Sequence, residues 1–234
     1  MTDEPPRIEV TIAAPVDAVW HALRDKDTIR HWHGWEFDGL DAEIDLIYFD
    51  HVAEDPAART LNVQDGDLIR LEPDGDGTRV TLTRAPRGVN PDWDAYYDDI
   101  TEGWITFLHQ LRFAVERQPG TPRRTVFLSG HNKDGRDLAA DLGLSDDTDT
   151  AVVDLVGEKV TTEPWYRAGH QLGVTVDVWG GGLLVVASSG PTDAKPDGVA
   201  MAVLSTYGLD DDQLADLTSR WRAWWTERYG PLPG

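Results

Sequence analysis

From residue 7 to residue 13 apolar and polar side chains alternate, with Ile8, Val10 and Ile12 on one side, the period of a half-buried strand. Pro15 then stands where the first turn of a helix accepts proline. Val16, Val19, Trp20 and Leu23 follow at helical spacing and predict a short amphipathic helix, with a second helical piece over 27–33. Between 35 and 84 the pattern returns to period two, predicting strands over 43–51, 59–64, 67–72 and 78–84. Asp65-Gly66 and Asp74-Gly75-Asp76-Gly77 supply the turns, since Asp-Gly pairs favour tight hairpins. The longest helical pattern comes next. Asp99 and Glu102 fit a capping box, and Ile100, Trp104, Phe107, Leu108, Leu111 and Val115 mark one face. Pro119-Gly120 ends it, and Thr121-Pro122 reads as a linker.

The second half begins again with a strand over 124–129 and a short helix over 137–142. Strands are predicted over 150–155, 172–179, 183–187 and 200–205, with Gly180-Gly181-Gly182 as a hairpin turn. A last helix, capped by Asp210 with Gln213 at the third position, carries Leu214, Leu217, Trp221, Trp224 and Trp225. This order predicts an α+β protein in which a curved antiparallel sheet lies against a long closing helix, followed by a second α+β unit. The expected domains are 1–120 and 123–234. Placing Trp104 on Trp221 aligns the two closing helices, so the second domain reads either as a degenerate copy of the first or as an unrelated unit.

Charge narrows the function classes. Lys plus Arg number 21 against 42 Asp plus Glu, a formal net charge of −21. No basic stripe interrupts that field, which repels phosphate backbones, so nucleic acid and anionic membrane surfaces are poor partners. There is no cysteine, which excludes disulfides and thiolate chemistry. The N-terminal MTDEPPRIEV is acidic where a signal peptide is basic and then apolar, and no apolar run approaches the ~20 residues of a membrane helix. A cytoplasmic protein without membrane insertion is expected. The 10 tryptophans are in excess, and indoles gather in large cores, apolar pockets and interfaces.

Three stretches carry a family resemblance. RIEVTIAAPVDAVWHALRDKDTIRHWHGWE contains Pro15, Val19-Trp20, Leu23 and Trp32; PDGDGTRVTLT is a late hairpin; ITEGWITFLHQLRFAVE sets Gly103-Trp104 ahead of leucines. In this order they resemble the first strand and helix, the late hairpin and the closing helix of the SRPBCC/START-like helix-grip superfamily. Within it they resemble the activator of heat-shock-protein-90 ATPase family, over about residues 7–118. The resemblance implies a sheet gripping the long helix around an apolar cavity. Its members bind lipids, sterols, polyketides or other apolar molecules, some act as cyclases, and some are co-chaperones; fold alone does not choose.

The residues expected to touch an apolar ligand are Trp104, Phe107, Leu108 and Leu111 on the long helix, with Trp20, Trp32 and Trp35 closing the same space. Plain core is the competing explanation for such a stripe. His31, His33 and Glu36, with His21 and His51, raise a metal site, but residues two apart at the end of a helix diverge, and no metal is assigned. One of His21, His31, His33, His51 or His109 could act as acid or base if it points inward. Asp74-x-Asp76 opens like a calcium loop, yet Thr78 and Ala85 stand where further ligands are needed. No nucleophile elbow, phosphate loop or dinucleotide fingerprint occurs, and no cofactor is expected. Asp146-Asp147 and Asp210-Asp211-Asp212 read as a solvated loop and a helix start. The leading reading is therefore non-catalytic binding of an apolar small molecule. A cyclase- or hydrolase-like enzyme with a cavity histidine or carboxylate is the first alternative. A co-chaperone-like module using the C-terminal half as partner surface is the second, favoured by exposed tryptophans on the last helix.

Overall fold

A computed structural model describes residues 5–63, 66–89, 91–145, 150–193 and 195–230. The residues at Gln64, Asp65, Asp146 and Asp147, each part of an expected element, lie outside it. The chain is α+β and divides into two compact units, Met1–Thr121 and Pro122–Gly234. Among the described residues no helix is long and apolar enough to cross a membrane.

In the first unit β1 (Arg7–Ile12) precedes α1 (Val16–Arg24), α2 (Lys26–Arg30) and α3 (Leu40–Tyr48). Then come β2 (Ala53–Asp55), β3 (Thr60–Val63), β4 (Asp67–Asp74) and β5 (Gly77–Thr83). A 3-10 turn (Pro91–Tyr96) leads into the long helix α4 (Tyr97–Arg117). The antiparallel sheet runs β1-β5-β4-β3-β2. Its register brings Ile8 opposite Leu82, Val10 opposite Val80 and Ile69 opposite Leu82, so the alternating apolar residues share one face. Trp104, Leu108 and Leu111 of α4 join Ile12, Leu61, Val63 and Leu71 in the core on that face.

Residues 43–51 were expected as a strand; Leu40, Ile44, Ile47 and Tyr48 are instead the buried side of α3, a spacing of four, three and one that fits a helix. The capping box at Asp99 is also displaced. The helix starts at Tyr97, and its cap residue Tyr96 makes no side-chain cap bond. Arg84, which follows β5, donates to the Tyr97 carbonyl at 3.1 Å, and the helix begins three residues earlier than expected. Asp98 and Asp99 still sit in the first turn, where carboxylates suit the helix dipole.

The second unit contains β6 (Arg123–Gly130), α5 (Leu138–Asp141), β7 (Ala151–Leu155), β8 (Glu158–Ala168), β9 (Gln171–Val176), β10 (Gly182–Ser189), β11 (Val199–Tyr207) and α6 (Asp211–Thr226). Its antiparallel sheet runs β6-β11-β10-β9-β8-β7. Strand β8 was not expected; Pro164 interrupts its pattern, and the pairing with β9 shifts register between Pro164 and Tyr166. The capping box of α6 is present, with Asp210 accepting from Gln213 N at 2.8 Å and Gln213 accepting from Asp210 N at 3.0 Å. Leu214, Leu217, Trp221 and Trp225 pack on Val126, Leu128, Leu184, Val186 and Leu204 of the sheet. The sheet also reaches the helix from its other end. Arg220 of α6 pairs with Glu158 at 2.6 Å and donates to the Val156 carbonyl at 3.3 Å, clasping the β7–β8 hairpin.

Candidate functional site

The polar chemistry of the first unit is concentrated where α2 turns into α3. Asp25 caps α2 by accepting from Thr28 N at 2.8 Å. After Arg30 the chain passes through His31, Trp32 and His33 to Gly34, whose φ of +55° lets it reverse toward α3. Lys26–Asp45 at 2.5 Å and Arg30–Asp41 at 2.6 Å then fasten α2 to α3, and the Arg24 guanidinium donates to the Tyr48 carbonyl.

This fastening encloses His33, which is 0% exposed. Its Nε2 lies 3.2 Å from Glu43 Oε1 and its Nδ1 lies 3.0 Å from the Tyr48 hydroxyl. An ionised carboxylate only accepts, so Nε2 carries the proton toward Glu43 and Nδ1 accepts from Tyr48 O–H. The result is a directed chain, phenol to imidazole to carboxylate. It runs from the fully buried Tyr48 to a Glu43 side chain 35% exposed. Burial, with the Glu43 charge second, raises the Tyr48 hydroxyl well above its ordinary value, so it stays a phenol and a donor.

Aromatic rings surround the chain. Trp32, His33 and Tyr48 meet edge to face at 5.2–5.7 Å, Trp104 meets Tyr48 at 6.2 Å, and Phe107 meets His33 at 4.5 Å and Trp104 at 6.2 Å. Of the residues expected to line a ligand site, Trp32, Trp104 and Phe107 are therefore brought together around His33 and Tyr48. Leu108 and Leu111 are fully buried in the adjoining core. Trp20 is half-buried beneath the Arg59 guanidinium, 5.3 Å from its ring, and makes no ring contact with this group among the described contacts. Trp35 is half-buried.

Beside the aromatic group lies a second buried network. Asp67 Oδ2 accepts from Trp104 Nε1 at 3.0 Å, and the Asp67 carboxylate pairs with Arg84 at 2.9 Å. Arg84 also donates to Thr101 Oγ1 at 2.7 Å, and Asp67 Oδ1 accepts from Ala85 N at 2.8 Å. Every charge here is matched, which fits a device that locks α4 onto β4 and β5. Tyr48, Glu43, Asp67 and Arg84 were not singled out in the sequence. Tyr48 was hidden by the strand reading of 43–51; the pair Asp67 and Arg84, seventeen positions apart, has no local signal at all.

In the second unit Trp221 and Trp225 are buried and Trp224 is half-buried under Arg228, 4.4 Å from its ring. The last helix thus lacks the exposed tryptophans that favour a partner surface. A shallow groove of about 440 Å³ runs along α6 beside Arg124, but Arg124 is paired with Asp211 at 2.9 Å. Among the described residues no group of three or more His, Asp or Glu could hold a metal ion.

No family model matches the chain, and no curated protein matches it in sequence. Three solved structures overlap it weakly over nearly the full length. DynU16, a protein of the dynemicin biosynthetic locus, aligns at TM-score 0.31 and 18% identity, covering 97% of this chain and 96% of that one. The di-domain ARO/CYC BexL, of the BE-7585A biosynthetic pathway, aligns at 0.37 and 12%, covering 96% and 93%. The di-domain ARO/CYC StfQ, of the steffimycin biosynthetic pathway, aligns at 0.35 and 10%, covering 94% and 92%.

Proposed function

We propose that the first unit binds an apolar small molecule between α4 and its sheet, with the Tyr48 phenol exchanging its bond to His33 for one to the polar group such a ligand carries. The supporting observation is the phenol–imidazole pair held at zero exposure inside a wall of Trp32, Trp104 and Phe107. Ligand sites of this kind are mostly apolar with a few convergent polar groups. Titrating the full chain with Nile red, a neutral dye that brightens in apolar surroundings, tests it. Saturable binding near one dye per chain is expected, weakened by both Trp104→Ala and Tyr48→Phe. Absence of saturable binding in the parent protein sinks the proposal and leaves the aromatic group as plain core.

The inward-pointing His33 supports a second reading, an enzyme. With Glu43 half in water, the chain could pass a proton between solvent and a carbonyl ligand beside Tyr48. That reading requires the protein to speed deuterium exchange from heavy water into the α-carbon of an apolar ketone, and His33→Gln to abolish the effect. Binding without exchange favours the non-catalytic module.

A further inference from the structure

We infer that the second unit has a site of its own, in which the buried indole N–H groups of Trp221 and Trp225 donate to the carbonyl oxygen of a neutral, apolar molecule. The two residues are 1% and 4% exposed and lie four positions apart on the sheet-facing side of α6. Neither Nε1 has a hydrogen-bond partner among the described residues. An indole N–H can only donate, and buried donors are almost always matched. Elsewhere the chain supplies the acceptor itself: Ala22 O for Trp32 at 2.9 Å, Asp67 for Trp104 at 3.0 Å and Glu158 for Trp179 at 3.0 Å.

Trp104 and Trp221 hold the same phase of the two closing helices. Asp67 meets the first. Around the second, the hydrophobic cluster includes Leu184, Val186, Ala202 and Leu204, whose side chains carry no acceptor. The nearby carboxylates are engaged elsewhere, Glu158 by Trp179 and Arg220, Asp141 by the Tyr229 hydroxyl at 3.1 Å. Trp179, whose ring meets Trp221 at 6.4 Å, is held at φ +57° in the turn it shares with Gly180 at φ +84°.

The chemistry of the occupant follows from the wall. Two donors amid aliphatic side chains want acceptors on an apolar body, spaced by about 6 Å of helix rise or sharing one oxygen. A carboxylate would be buried without a cation and would enter a protein of net charge −21, so a ketone-type oxygen is favoured. This site is independent of the one proposed in the first unit.

Indole N–H resonances of the full chain, assigned with Trp221→Phe and Trp225→Phe, provide the test. Fluorenone and fluorene, which share a skeleton and differ by one carbonyl, are the probes. Fluorenone should shift at least one of the two assigned resonances downfield and bind about ten-fold more tightly than fluorene. Read from the titration of those resonances, which binding in the first unit does not report on, the preference should fall toward one in either Trp→Phe variant. Equal binding of the two probes, or binding of neither, overturns the inference. So does exchange of both indole protons with water alone, unaffected by fluorenone, which would identify buried waters as the acceptors. The preference read at the two indole resonances of the parent decides the matter even if one variant fails to fold.

Discussion

His109 carries a pH dependence that can be signed in advance. Burial, with the Arg112 charge second, lowers its pKa from 6.5 to about 4. Between those values the unfolded chain binds a proton that the native protein does not. The stabilisation from a neutral His109 is complete above pH 6.5 and is lost as the pH falls toward about 4. Its full size is about 3 kcal/mol by linkage. In denaturant titrations the parent should therefore lose stability relative to His109→Gln as the pH drops from 7 to 5. Parallel curves would show that His109 does not titrate this way. Trp104 separates packing from hydrogen bonding. Trp104→Ala should cost about 3–5 kcal/mol, the usual loss for a buried aromatic. Trp104→Phe should cost about 1–2 kcal/mol, since Asp67 keeps its bonds to Arg84 and Ala85. A loss from Trp104→Phe as large as that from Trp104→Ala would place the role of this residue in its bond to Asp67.

At the scale of elements, Gly180 sets the turn between β9 and β10. Its φ is +84°, and a Cβ there would stand 1.8 Å from the Tyr207 carbonyl oxygen. Gly180→Ala should lower stability by at least about 2 kcal/mol, whereas Gly75→Ala, with φ +62° but nothing within 4 Å, should cost about 1 kcal/mol. Thermal melts of the two variants check the ordering; similar losses would show that backbone strain, not the close approach, dominates. Elements written in local chemistry were legible: the α6 capping box, the Gly-rich turn, and β1, whose alternation spans the whole strand. Where two periods competed the reading failed. In α3, Ile44 and Leu46 look like one face of a strand, yet Ile44 is buried and Leu46 is 55% exposed because the true repeat is helical. The candidate site suffered most from this, since Tyr48 reaches His33 only if residues 40–48 coil.

Across the whole molecule the acidic field is the dominant property, and it forecasts partners rather than fold. A fluorescence titration with duplex DNA at physiological salt should give no measurable binding, and micromolar binding that weakens as salt rises would contradict this. Within each unit the order of elements has a consequence for synthesis. The sheet strands come first, and the helix that covers their apolar face comes last, α4 ending at Arg117 after β5 ends at Thr83, and α6 ending at Thr226 after β11 ends at Tyr207. At about 5–20 residues per second, the nascent first sheet waits roughly two to seven seconds for its cover to be made. During that wait Ile8, Val10, Ile69 and Leu82 are a greasy surface on a tethered chain, and the carboxylates crowded around them are what keeps neighbouring nascent chains apart.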